Sequence, residues 1–142
     1  MDILENVGYS ICRTARKIHQ HLTACFREYG LTPEQWVAVK FIAESKTELS
    51  QKELALLQEK DQNNVKSIVD RLADKDIVAR KPNPQDARAF RLSLTDHGKE
   101  LFSTIARVDD SFTDGVLLGI TPAELREFSR ILKKIEDNAG RK

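Results

Sequence analysis

Between Asp61 and Leu94 the spacing of apolar residues changes period, and this change constrains the fold more than any other feature of the chain. Val65, Ile68, Val69 and Leu72 follow the i, i+3, i+4, i+7 rule of a helix with one buried face, and Asp61 stands where its cap belongs. After Lys75 the pattern is that of strands. Ile77, Val78 and Ala79 form one run, and Phe90, Leu92 and Leu94 alternate with Arg91 and Ser93. Pro82-Asn83-Pro84-Gln85-Asp86 between them is turn chemistry, which predicts a β-hairpin with a long polar tip.

The flanking segments read as helices with strong start signals. Thr32-Pro33-Glu34-Gln35 places a Thr cap, a proline at the first helical position and a Gln that reaches back, so a helix is expected from Pro33 to about Glu44. Ser50-Gln51-Lys52-Glu53 opens a short helix to about Gln58, with Leu54 and Leu57 inward. Upstream, Leu4, Val7, Ile11, Ala15, Ile18, Leu22, Cys25 and Tyr29 draw one stripe down a long helix that Gly30 stops. Its near-heptad spacing fits either a dimer surface or packing on its own chain. Downstream, Thr95 caps a helix with Leu101, Ile105, Val108 and Phe112 on one stripe. Thr121-Pro122-Ala123-Glu124 then begins the last helix, with Leu125, Phe128, Leu132 and Ile135 inward. The order is α-α-α-α-β-β-α-α, a mainly α chain with a small β-wing (α+β), without internal repeats.

A short helix, a tight connection, an amphipathic helix and a hairpin form the order of a winged helix-turn-helix, in which the second helix enters the major groove. Charge bears on that reading. The chain carries 23 basic and 22 acidic residues, net +1, so any surface suited to a polyanion must arise by local segregation. The wing supplies it: between Val78 and Leu94, Arg80, Lys81, Arg88 and Arg91 face the single acid Asp86. On the helix from 61 to 75, Asn63, Lys66 and Ser67 lie opposite the apolar stripe, with Gln62 and Asn64 flanking them. These residue types read base edges or hold phosphates. The same polar cluster also suits an ordinary solvated helix start. Arg88 is placed to enter a minor groove, and Asp86 either holds the turn or fixes the Arg88 side chain.

The stretch Asn64-Val65-Lys66-Ser67-Ile68-Val69-Asp70-Arg71-Leu72, followed by Asp86-Ala87-Arg88 and Leu92-Ser93-Leu94-Thr95-Asp96-His97-Gly98, resembles the MarR (multiple antibiotic resistance regulator) family over essentially the whole chain. The resemblance implies an obligate-type homodimer through interlocked N- and C-terminal helices, 1–30 and 100–142, around a winged helix-turn-helix at 31–99. It implies a sequence-specific transcriptional regulator, most often a repressor, on a pseudo-palindromic double-stranded operator. Helix 61–75 would lie in the major groove and wing 78–94 in the minor groove, contacting DNA through Gln62, Asn63, Asn64, Lys66, Ser67, Arg80, Lys81 and Arg88, with Asp86 positioning the wing. Two departures stand out: Ala87 replaces a common basic residue, and Asp76 replaces a common helix-ending glycine.

Many relatives release DNA on binding a small molecule, a metal or an oxidant. By that likeness a small organic anion is the expected effector, in a pocket of Tyr9, Arg16, His19 and Trp36; plain core packing is the alternative for Trp36. Cys12 and Cys25 are redox candidates, or simply small core residues. Set 13 residues apart on one helix, about 20 Å, they cannot form an internal disulfide. His21 and Cys25 sit one turn apart, with His97 or Cys12 as conceivable further ligands, but no metal site and no required cofactor is expected. No phosphate loop, zinc-protease motif or nucleophile elbow appears, which argues against an enzyme. No apolar run approaches the ~20 residues of a membrane span, and a cytoplasmic location with reduced thiols is expected. The alternative function is a winged-helix protein-interaction module without sequence-specific DNA binding.

Overall fold

Every α-helix after the first begins where a side chain satisfies one of the first free amides. In the computed structural model the hydroxyls of Thr32, Ser50 and Thr121 and the carboxylate of Asp61 accept from the backbone N–H three residues on. Thr32 and Thr121 complete full capping boxes with Gln35 and Glu124. The structure describes residue 2 and residues 4–140, without the side chain of Ala87. The expectation for Ala87's side chain and the outermost positions of both terminal segments therefore lie outside the described residues.

The elements are α1 (Val7–Phe26), a 3-10 turn (Arg27–Tyr29), α2 (Pro33–Glu44), β1 (Leu49–Ser50), α3 (Gln51–Gln58), α4 (Gln62–Asp74), β2 (Val78–Asn83), β3 (Asp86–Leu94), α5 (Asp96–Val116) and α6 (Pro122–Ala139). The mainly helical winged fold is as expected, with three differences in the helix-turn-helix and wing. The short strand β1 was not foreseen; it pairs Leu49 with Leu92 and Ser50 with Arg91, so the antiparallel sheet has the order β1-β3-β2. The polar tip of the hairpin is short, because β2 runs through Pro82 to Asn83 and β3 restarts at Asp86, with a register shift between Pro82 and Asn83. Proline is tolerated there because β2 is an edge strand. In α3, Leu54 and Ala55 face the core, whereas Leu57 is 51% exposed.

Two compact units make up the chain, divided after Asp109. In the first, Phe26, Trp36, Val39, Leu54, Leu72 and Ile105 form the centre of one core. The α1 stripe is split: Leu22, Cys25 and Tyr29 pack on that core, while Leu4, Val7 and Ala15 are exposed. In the second unit, α6 buries none of its residues: Phe128 and Leu132, expected inward, are exposed, as is Ile131, while Leu125 and Ile135 are half-buried. Among the described residues no helix is long and apolar enough to cross a membrane.

Two backbone features set the wing against the helices. Asp76 adopts the left-handed conformation, φ 59°, that the end of α4 requires. Its N–H donates to Ala73 O (3.0 Å) and that of Ile77 to Leu72 O (2.9 Å), closing the helix before β2 starts. Gly98, in the first turn of α5, lies so close to the start of β2 that an added Cβ would stand 2.1 Å from Ile77 O. The Thr95 hydroxyl accepts from Gly98 N (2.9 Å) and the Thr95 N–H donates to Ile77 O (3.0 Å). The Thr-x-x-Gly motif is thus the joint between the wing and α5.

Candidate nucleic-acid interface

The face of α4 turned away from the core carries Gln62, Asn63, Lys66, Ser67 and Arg71, all exposed, while Val65, Val69 and Leu72 anchor the opposite side. Gln62, Asn63 and Ser67 project neutral donors and acceptors from the first two turns, beside the N-terminal amides whose dipole favours an anion. Asn64 is engaged locally: its backbone N–H donates to Asp61 Oδ1 (2.8 Å) and its Nδ2 to Asp61 Oδ2 (3.2 Å), so its amide reinforces the cap. Arg71, one turn after Ser67, was not singled out from sequence; its place on the outward face of the helical period is the signal that could have found it.

The cations near this face differ in what they hold. Lys66 Nζ donates to Asp70 Oδ2 (3.0 Å), and the Arg80 guanidinium donates to Asp70 Oδ1 and, through Nε, to Gln51 Oε1 (2.8 Å). Arg80, expected at DNA, is therefore half-buried and braces the base of the wing against α3 and α4. Hydrogen bonds from Lys66 and Arg80 hold the Asp70 carboxyl below its ordinary range. Lys81 is exposed, 3.6 Å from Glu48. Arg91 Nη2 donates to Asn83 Oδ1 (3.4 Å).

Arg88 is different. It is exposed near the wing tip, and among the described residues its guanidinium has no ion pair. Asp86 Oδ1 accepts from the Arg88 backbone N–H (3.0 Å), so Asp86 shapes the turn and leaves the Arg88 side chain free to reach outward. Neutral readers on α4 and a projecting cation on the adjacent hairpin are what a surface needs to meet base edges and a narrow, negative groove.

The residues expected to form an effector pocket do not converge. Trp36 is 3% exposed, lies 5.5 Å from the Phe102 ring, and donates through Nε1 to Asp109 Oδ2 (3.0 Å), which also accepts from Lys40 Nζ (3.2 Å). Core packing accounts for it. Tyr9 is exposed, with the Arg13 guanidinium 5.7 Å from its ring centre. Arg16 and His19 share one shallow surface of α1. His19 also edges a groove with Glu34, Val37, Phe41, Leu57, Gln58 and Lys60, and its Nε2 is 2.7 Å from Glu34 Oε1. Gln58 lines the groove, and both polar atoms of its carboxamide are buried without a hydrogen-bond partner. Burial raises the Glu34 pKa, but the hydrogen bond from His19, a backbone hydrogen bond and the positive charges of His19 and Lys60 outweigh it, and the net shift is downward.

Cys12 is exposed and Cys25 half-buried on the unbroken helix α1, which rules out a bond between them. Among the described residues no group of three or more His, Cys, Asp or Glu side chains could hold a metal ion.

A sequence model of the MarR family matches residues 29–89, which contain the helix-turn-helix and most of the wing. The HTH-type transcriptional regulator BilQ of Clostridioides difficile (strain CD3) is 23% identical over 133 residues, 94% of this chain and 89% of that protein. Among solved structures, a protein of unknown function from Listeria innocua Clip11262 is 32% identical, with a TM-score of 0.72 over 95% of this chain and 94% of that one. A cysteine-to-serine mutant of MarR from E. coli, complexed with operator DNA, is 22% identical, with a TM-score of 0.83 over 95% of this chain and 99% of that one.

Proposed function

The chain belongs to the MarR family of DNA-binding transcriptional regulators, and from that premise we propose that it represses transcription as a homodimer on a pseudo-palindromic double-stranded operator. The observation that carries this reading is the pairing of an outward neutral face, Gln62, Asn63 and Ser67, with the projecting Arg88. In this reading the first two turns of α4 read base edges in the major groove, Lys66 and Lys81 meet phosphates, and Arg88 enters the minor groove. Arg80 acts one step back, holding the wing at its angle to α4.

Homodimerisation is supported by the apolar residues that each unit leaves uncovered: Leu4 and Val7 before and at the start of α1, and Phe128, Ile131 and Leu132 on α6. An 18-residue amphipathic helix with no buried residue exposes apolar surface that a second chain would remove from water. Derepression is proposed to follow binding of a small organic molecule in the groove between α1, α2 and α3, where the unsatisfied Gln58 carboxamide would gain partners.

Fluorescence anisotropy on the DNA upstream of the chain's own gene and on a scrambled duplex, across a salt series, tests the reading. The expected result is tight, salt-sensitive binding of two subunits to the first duplex alone. Equal, weak binding to both, and to a pool of random duplexes, would favour a protein-interaction module instead.

A further inference from the structure

α4 is held by two kinds of force. Along its length Val65, Val69 and Leu72 are buried in the core, and apolar burial is non-directional: it sets which face is inward but resists a small change of tilt less sharply than a hydrogen bond does. At its carboxyl end, Lys75 makes directional bonds. Its Nζ donates to the backbone carbonyl of Gly30 and to Oε1 of Gln35 (3.1 Å). Gly30 is the left-handed residue, φ 70°, that ends the segment continuing α1. Gln35 is 4% exposed in the first turn of α2, and its Oε1 also accepts from Thr32 N (3.3 Å). One ammonium therefore joins the end of α4, the end of the α1 segment and the start of α2, next to the α4 carbonyls whose dipole favours a cation.

We propose that Lys75 is a positioning residue for DNA recognition, an ammonium clamp that fixes the angle between α4 and the α1–α2 turn. The inference rests on the operator-binding reading given above. Its leverage comes from length: α4 has 13 residues, so Asn63 at its base-facing end lies about 18 Å from the clamp, and a rotation of about 5° there displaces it by about 1.6 Å. Base-edge hydrogen bonds do not survive such a shift, whereas contacts to a uniform phosphate backbone re-form nearby. Losing the clamp should therefore erase discrimination and spare general affinity.

The experiment uses the full chain and a duplex that the parent selects from random DNA. Affinities of the parent, Lys75→Met and Lys75→Arg are measured on that duplex, on versions with half-sites one base pair closer or farther apart, and on a scrambled duplex, with thermal unfolding alongside. Lys75→Met keeps the aliphatic stem and removes the donors. It should bind the selected duplex about tenfold more weakly, bind scrambled DNA as the parent does, keep the parent's salt slope and show a smaller penalty for altered spacing; Lys75→Arg should restore discrimination. An equal loss on all duplexes with a shallower salt slope would make Lys75 a phosphate contact. A lower melting temperature with discrimination intact would make it merely structural. Either result overturns the proposal, as does unchanged binding. If Lys75→Met does not fold, Gln35→Met removes one arm of the clamp and must lose discrimination in the same way. A parent that selects no DNA refutes the regulator reading itself, and the clamp with it.

Discussion

Replacing Gly98 with alanine sets two effects of opposite sign against each other. Alanine is the better helix former, and in an open position the change would stabilise the chain by about 1 kcal/mol. Gly98 is not in an open position. The new Cβ would stand 2.1 Å from Ile77 O, 3.0 Å from Ile77 C and 3.3 Å from Thr95 Oγ1. Relief requires α5 and the start of β2 to separate by about 1 Å, since a carbon and an oxygen tolerate roughly 3.2 Å. That movement stretches the 3.0 Å bond from Thr95 N to Ile77 O and loosens the cap on Gly98 N. Two weakened hydrogen bonds at about 1 kcal/mol each, with overpacking of about 1–3 kcal/mol, exceed the propensity gain. The net expectation is destabilisation of about 2–4 kcal/mol. For 142 residues the unfolding entropy is about 0.3 kcal/mol per degree, so the melting temperature should fall by roughly 7–13 °C. Urea and thermal unfolding at equal protein concentration measure this, with an unchanged m-value as the control. A Gly98→Ala protein as stable as the parent, or more stable, would refute the close-approach argument.

Arg88→Ala should weaken operator binding at least tenfold and lower the salt slope by about two, as expected when each of two subunits loses one groove cation; parent-like anisotropy curves would remove Arg88 from the interface. Asp70→Asn should release Lys66 and Arg80 and raise affinity for scrambled DNA several-fold with a steeper salt slope, so an unchanged slope would mean that neither cation reaches phosphate. Because the Asp70 pKa is depressed from 3.8, its contribution to the folded state is present above that value and lost only as pH falls through the lower folded one. Stability changes between pH 5 and 8 therefore cannot come from this group. Phe128→Asp places a charge on the uncovered apolar face of α6 and should convert dimer to monomer in light scattering, whereas a dimer of normal mass would exclude that face from the subunit contact.

What the sequence made legible was local. Thr32, Ser50, Asp61 and Thr121 bond to amides three residues away, so their helices could be bounded without knowing what they pack against. Asp76 could be read as a left-handed helix end for the same reason. β1 could not be read, because two residues carry no period and Leu49 and Ser50 are strand only through pairing with Leu92 and Arg91, more than forty positions on. Leu57 was misplaced because eight residues of α3 allow more than one inward face, and the tertiary position of Ala55 decides between them.

The site divides along the same line, and the division bears on how a chain of net charge +1 meets DNA. Counting Arg80, Lys81, Arg88 and Arg91 against Asp86 treats every wing cation as available. Folding brings Asp70 from the preceding helix under Arg80, sets Glu48 near Lys81, and turns Arg91 toward Asn83. None of these partners could be assigned from spacing, because each is set by how the chain folds back on itself: Asp70 where α4 meets the sheet, Glu48 just before β1, and Asn83 on the opposite strand of the hairpin. Trp36 shows the same effect, its indole N–H committed to Asp109, 73 positions away. What the wing holds outward without an ion pair among the described residues is narrower than the composition suggests: a wing-tip arginine whose backbone, not its charge, is taken by Asp86, beside a helix face of neutral amides, a hydroxyl, Lys66 and Arg71. Such a surface draws less on indiscriminate attraction to phosphate than a fully charged wing would. Discrimination therefore falls more heavily on the angle at which α4 is presented, which the Arg80 brace sets on one side and the Lys75 clamp on the other.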